Sequence, residues 1–268
     1  MRIAPSERVV YENNPLAEVV CQIRFERATM SDEALAAFRN FAEPRYPNVF
    51  AEETAEVSMR LSVGGDHKEV IKQAKDRIHH FATADQSARV SISSEFVAVT
   101  CNRYESWSAF KPQILDAAKA FVDCHGAPRS TRVGLRYKDV IEREPLGLAE
   151  VPWRDLLAPF VLGPLAPSTL TAEGVPPETD ILSFAFQSNI RLDDCKLLLQ
   201  GGLLFSAERE RHAYLVDSDF FLDDAAPAGL LSELGQLDEV LERLHANAGA
   251  LFSRTIQPRL HDGLKPRR

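Results

Sequence analysis

The residues of this chain that could do chemistry lie on the polar sides of alternating, strand-like runs: Gln22, Arg24, Arg60, Arg132, Arg136, Gln187, Asn189, Arg191 and Gln200. Guanidinium forks grip carboxylates and phosphates through two parallel hydrogen bonds, and amides supply adaptable donors beside them. Three outcomes are open. Arg24, Arg60, Arg132 and Arg136 can converge in a closed cleft, which would make an anion or nucleotide pocket of an enzyme or sensor. Each can instead pair with a carboxylate on an open face, which would make Arg24, Arg60, Arg132, Arg136, Gln187 and Arg191 parts of a docking surface. They can also do no more than stiffen a solvated sheet through cross-strand ion pairs.

Asp217 and Asp219 stand two apart at the end of a strand-like run, a spacing that can hold Mg²⁺ or Ca²⁺. Asp223 and Asp224 add acid. Acidic residues before a helix also favour its positive end, and no histidine or glutamate supplies an obvious third ligand. His79-His80 has no partner four residues on, and His125 adjoins Cys124. The G-x-S-x-G elbow, the Walker loop and the dinucleotide fingerprint are all missing. No residue is assigned a catalytic role, and no cofactor is expected.

The elements that must position these groups read clearly. Val19, Cys21, Ile23 and Phe25 alternate with Gln22 and Arg24, so residues 18–25 form a strand. Ser31 caps a helix whose buried side is Leu35, Phe38 and Phe41. Residues 56–63 alternate, 67–81 fit either a helix or a strand and loop, and 89–101 are strand-forming with a bend near Ser93-Ser94. A helix follows from Trp107 to Val122, with Pro112 implying a late start or a kink. Residues 131–140 alternate again. Seven prolines then mark 143–180. Residues 181–192, 195–205 and 212–222 are three further strands, with Gly201-Gly202 predicting a bulge or a close backbone approach. Leu230, Leu234, Leu237, Leu241, Leu244, Ala248 and Leu251 form one apolar stripe of a long last helix.

The expected fold is therefore α+β, with mostly antiparallel sheets. It divides into two related modules, each a sheet covered on one face by a long helix. Residues 1–142 form the first, 143–180 a proline-rich crossover or linker, and 181–268 a three-strand-plus-long-helix module.

The segment Asn14-Pro15-Leu16-Ala17-Glu18-Val19-Val20-Cys21-Gln22-Ile23-Arg24-Phe25 resembles the opening of a sporadically distributed, uncharacterised bacterial protein family whose members run to about 250 residues. Arg129-x-x-Arg132-x-Gly134-Leu135-Arg136-Tyr137 resembles its second conserved segment. Lys138 departs from the asparagine usual there. The last helix, through His245 to Phe252-x-x-x-Ile256, resembles the third. The resemblance covers nearly the whole chain and implies no activity. Its patchy distribution is compatible with mobile or defence-associated gene neighbourhoods.

Composition narrows the function classes. Of 268 residues, 45% are hydrophobic and 26% charged, which excludes general disorder. A net charge of −8 disfavours a general nucleic-acid binder, although a local basic face stays open. No apolar run of about 20 residues suits a membrane span, and the N-terminus has no signal-peptide core. A cytoplasmic location is expected, with Cys21, Cys101, Cys124 and Cys195 as reduced thiols. The preferred function is an interaction or accessory subunit, working within a homo-oligomer or with an acidic protein partner. The rivals are the enzyme or sensor with an arginine-lined pocket, and a nucleic-acid-associated protein.

Overall fold

In the computed structural model, the backbone is described for residues 1–61, 68–166, 178–206, 211–223 and 226–267, and side chains outside 54–75, Thr179 and Ser206. The chain runs β1 (Val10–Tyr11), β2 (Leu16–Phe25), α1 (Asp32–Ala42), β3 (Asn48–Leu61), β4 (Lys68–Ala82), β5 (Ala88–Ile92), β6 (Phe96–Cys101), α2 (Trp107–His125) and β7 (Ser130–Glu142). After single 3₁₀ turns come α3 (Pro159–Leu162), β8 (Phe184–Arg191), β9 (Lys196–Ser206), β10 (Arg211–Leu222), α4 (Leu234–Thr255), α5 (Pro258–Gly263) and β11 (Pro266–Arg267).

Alternation places the core. Along β2, Val19, Cys21, Ile23 and Phe25 are buried, Gln22 is half-buried and Arg24 is exposed. The apolar side carries the helices. Phe121 of α2 meets Phe25 at 4.8 Å, and Phe38 of α1 meets Phe81 at 5.4 Å. Trp153, just beyond β7, meets Tyr214 of β10 at 5.4 Å. Ser31 and Ser106 cap α1 and α2 by accepting from the backbone N–H groups of Ala34 and Ala109. Gly126 ends α2 at φ +77, where a side chain would be strained.

The result is an α+β fold: an antiparallel sheet of nine strands in the order β3-β4-β5-β6-β2-β7-β10-β9-β8, flanked by helices. A separate small sheet pairs β1 with β11. Rather than one sheet for each half, a single sheet runs through both. β7 pairs with β2 on one side, Leu135 opposite Cys21, and with β10 on the other, Leu135 opposite Phe220. The wiring on either side of that seam is alike. β2 pairs with β6, and β5, β4 and β3 meander outward; β7 pairs with β10, and β9 and β8 meander outward.

Three local expectations resolve differently from the simplest pattern. Residues 68–82 form β4 despite helix-compatible spacing, because they pair with β3 along its length and with β5 at the end. Pro112 does not delay α2, which starts at Trp107. The last helix starts at Leu234, while Leu230 and Leu231 are buried in the preceding turn. Gly202 does mark a close approach: at φ +148, a Cβ there would lie 2.0 Å from the Phe184 carbonyl oxygen. Among the described residues no helix is long and apolar enough to cross a membrane.

Candidate interaction face

The side of the sheet away from the helices carries the polar alternates. Its centre is a chain of cross-strand pairs from β2 to β8. Lys138 Nζ donates to Glu18 Oε1 at 2.7 Å. Arg136 grips Asp217 with two hydrogen bonds, Nε to Oδ1 at 2.7 Å and Nη2 to Oδ2 at 2.5 Å. Arg132 Nη2 donates to Asp219 Oδ2 at 2.7 Å. Arg211 reaches Glu142 at 3.3 Å, Lys196 reaches Asp223 at 2.7 Å, and Gln200 donates its amide to Gln187 at 2.7 Å.

The segment around Arg132 shows how sequence builds this surface. Val133, Leu135 and Tyr137 turn into the core, so Arg132, Gly134 and Arg136 must face outward. The Arg132 guanidinium folds back across Gly134 and settles 4.4 Å above the Phe221 ring, the residue paired with Gly134. A Cβ at 134 would lie 2.4 Å from Arg132 Nη1. Glycine there leaves room for the arginine in this position; a side chain at 134 would push the guanidinium aside.

The four candidate arginines do not converge. Arg132 and Arg136 each hold an aspartate of β10. Arg24 lies opposite Arg132 but is exposed. Arg60 belongs to β3, opposite Glu69 at the far end of the β3–β4 hairpin, ten residues beyond the nearest β4–β5 pair and four strands across from β2; its side chain lies outside the described residues. Gln187 meets Gln200, and Arg191 is exposed on β8 opposite Lys196.

Asp217 and Asp219 point outward together, yet their carboxylates are engaged by Arg136 and Arg132. Asp223 is engaged by Lys196, and Asp224 lies outside the described residues. No group of three His, Cys, Asp or Glu among the described residues is placed to hold a metal ion.

On the helix side a second polar cluster joins α2, α4 and β7. The Tyr137 hydroxyl and His245 Nδ1 are 2.6 Å apart, and Trp107 stacks on the His245 ring at 4.2 Å. Trp107 Nε1 and Lys111 Nζ both donate to Glu242 Oε1 at 2.8 Å. Burial, helped by Arg8, pulls His245 down to about 3, so the imidazole is neutral. Asp139 lies on this side of β7; burial, reinforced by the Asp217 charge, pushes its carboxyl up to about 7. The four cysteines are free, and burial pushes the Cys21 and Cys195 thiols up to about 12, which leaves neither a nucleophile at neutral pH.

Glu18, Lys138 and Glu142 fall on the same alternation as Arg132 and could have been found by asking where the counter-charges lie. His245 could not, because its pairing to Tyr137 depends on how α4 crosses the sheet. No protein-family model matches this chain, and no curated protein matches it either.

Proposed function

We propose that this protein is an interaction or accessory subunit that docks a protein partner on the helix-free face of its sheet. The observation that carries this reading is the pairing itself. The outward arginines of β7 are each matched to a carboxylate on an open strand face and do not line a common cleft. Such pairs hold charges in fixed positions, which gives a partner a pattern to match. A partner offering carboxylates and amides in strand-like alternation fits the strip from Glu18 to Gln187. A second copy of the chain would satisfy the same chemistry. Membership of the sporadically distributed bacterial family, a cytoplasmic setting and an origin of the two halves as related modules belong to this reading; the like wiring on either side of β2 and β7 supports the last.

The test exchanges one pair. In Arg132→Asp with Asp219→Arg, the ion pair survives with its charges reversed. The variant should fold within about 1 kcal/mol of the wild type, because partly exposed pairs contribute little net stability. It should lose a partner that the wild-type chain retains in affinity purification from its native cell. A folded variant that keeps every partner, or a wild-type chain that carries a stoichiometric nucleotide or metal, would overturn the reading.

A further inference from the structure

On the first half of the open face, Arg89 is a half-buried cation that no described counter-charge meets. It lies on β5; among the described residues its side chain makes no hydrogen bond or ion pair, and its Nε is buried without a partner. On the same face Lys138, Lys196, Arg132, Arg136 and Arg211 all hold carboxylates. Lys111 and Arg143 do so on the helix side. Leaving a half-buried guanidinium unpaired is costly unless something else meets it.

Arg89 lines a cavity of about 140 Å³, shared with Gln86, Thr100, Asn102, Phe50 and Glu18. Gln86 adds an independent sign. It sits in the turn between β4 and β5 at φ +59, a left-handed conformation in which glycine would be unstrained. A glutamine in that conformation costs about 1 kcal/mol, and it stands among the residues that line the cavity. Thr100 and Asn102 contribute further donors. Phe50, stacked on His80 at 4.8 Å, forms an apolar side. Glu18 is the one anion among the described lining residues, and Lys138 holds it.

We propose that this cavity is a socket for a single carboxylate group. Its size suits about six non-hydrogen atoms, since an apolar cavity of about 150 Å³ holds a benzene molecule. That admits a short carboxylic acid or the tip of an acidic side chain and shuts out a nucleotide. One guanidinium with neutral amides beside Glu18 matches a planar monoanion better than a dianionic phosphate. Only the source of the carboxylate rests on the docking reading above. A partner's Glu or Asp would supply it if that reading holds, and a free small acid if it does not.

The experiment follows the Arg89 Nε–H resonance of the full chain by ¹⁵N NMR, assigned by its loss in Arg89→Gln. Backbone amides of Thr100 and Asn102 serve as the readout for variants. Propionate, an acidic Gly-Glu repeat peptide and inorganic phosphate are titrated separately. Propionate should give a saturable shift, weakened about tenfold or more in Arg89→Gln by loss of the charged donor. Gln86→Gly relieves the strained turn, so it should fold at least as well and still bind propionate more weakly. A peptide that binds about tenfold tighter than propionate identifies a protein source; equal or weaker binding identifies a free acid, and either upholds the socket. No saturable shift with propionate or peptide, a phosphate response as strong as the carboxylate one, or unchanged binding in Arg89→Gln overturns it. The Arg132–Asp219 exchange is scored separately, so one idea can fail while the other stands.

Discussion

Glycine at 134 is explained by the side chain two residues before it. Arg132 occupies the space that a Cβ at 134 would need and uses it to reach both the Phe221 ring and Asp219. Two opposing effects then set the result of Gly134→Ala. Alanine favours a strand over glycine by about 0.5–1 kcal/mol, but it displaces a guanidinium whose ring contact and ion pair together are worth about 1–2 kcal/mol. The single variant should therefore lose up to about 1 kcal/mol. In an Arg132→Ala background the same change should be neutral or stabilising. Urea denaturation of the four proteins measures the coupling; additive effects would show that Arg132 does not depend on Gly134.

At the scale of elements, α4 and β7 each carry a buried ionisable group, and the two have opposite pH responses. His245 is held neutral, with its folded value near 3 below the ordinary 6.5. Its contribution is full above pH 6.5 and is lost as pH falls toward 3. Asp139 is the reverse: its folded value near 7 lies above the ordinary 3.8, so its contribution is full below pH 3.8 and is lost as pH rises through 7. Between about pH 4 and 6.5 the two slopes oppose, each about 1.4 kcal/mol per pH unit at most. Compared with the wild type, Asp139→Asn should gain stability as pH rises through this window, and His245→Gln should lose it. Urea midpoints at pH 4.5, 5.5 and 6.5 decide the signs.

These elements also show what a sequence can reveal. The strands were legible because one face of each is buried, which forces alternation along 18–25, 131–140 and 181–192. The side of the sheet that Arg132 and Arg136 occupy followed directly. β4 is ambiguous in sequence because Val70, Ile71, Ala74 and Ile78 fit a helix while Val70, Ala74 and Ile78 also keep the alternation of a strand, and pairing with β3 and β5 settles it. The Arg89 cavity was hidden for another reason. It depends on which strands are neighbours and on the turn conformation of Gln86, and no local pattern encodes either.

For the whole molecule, the continuous sheet has a cooperative consequence. β7 is hydrogen-bonded to strands of both halves, and its Val133, Leu135 and Ile141 lie in a core that extends from Phe38 to Leu203. Unfolding either half would strip one edge of β7. Two reporters exist, since the only tryptophans are Trp107, where α2 meets α4, and Trp153, against Tyr214 of β10, both buried. Single-tryptophan variants, Trp107→Phe and Trp153→Phe, should give coincident denaturation midpoints that also match the circular dichroism transition. Two separated midpoints would mean that the halves unfold independently across the seam.

The pairing of β2 with strands far along the chain also governs what happens while the chain is being made. β2 is complete at Phe25, but its partner β6 does not begin until Phe96 and its other partner β7 not until Ser130. At about 5–20 residues per second, the wait for β6 alone lasts roughly 4–14 seconds. Throughout it, Val19, Cys21, Ile23 and Phe25 have no sheet to complete. Closing pairs so distant in sequence is slow, and an unpaired apolar strand is a template for other chains. The ribosome-bound intermediate is thus the most vulnerable form of this protein, and the first hundred residues are where a chaperone would find it.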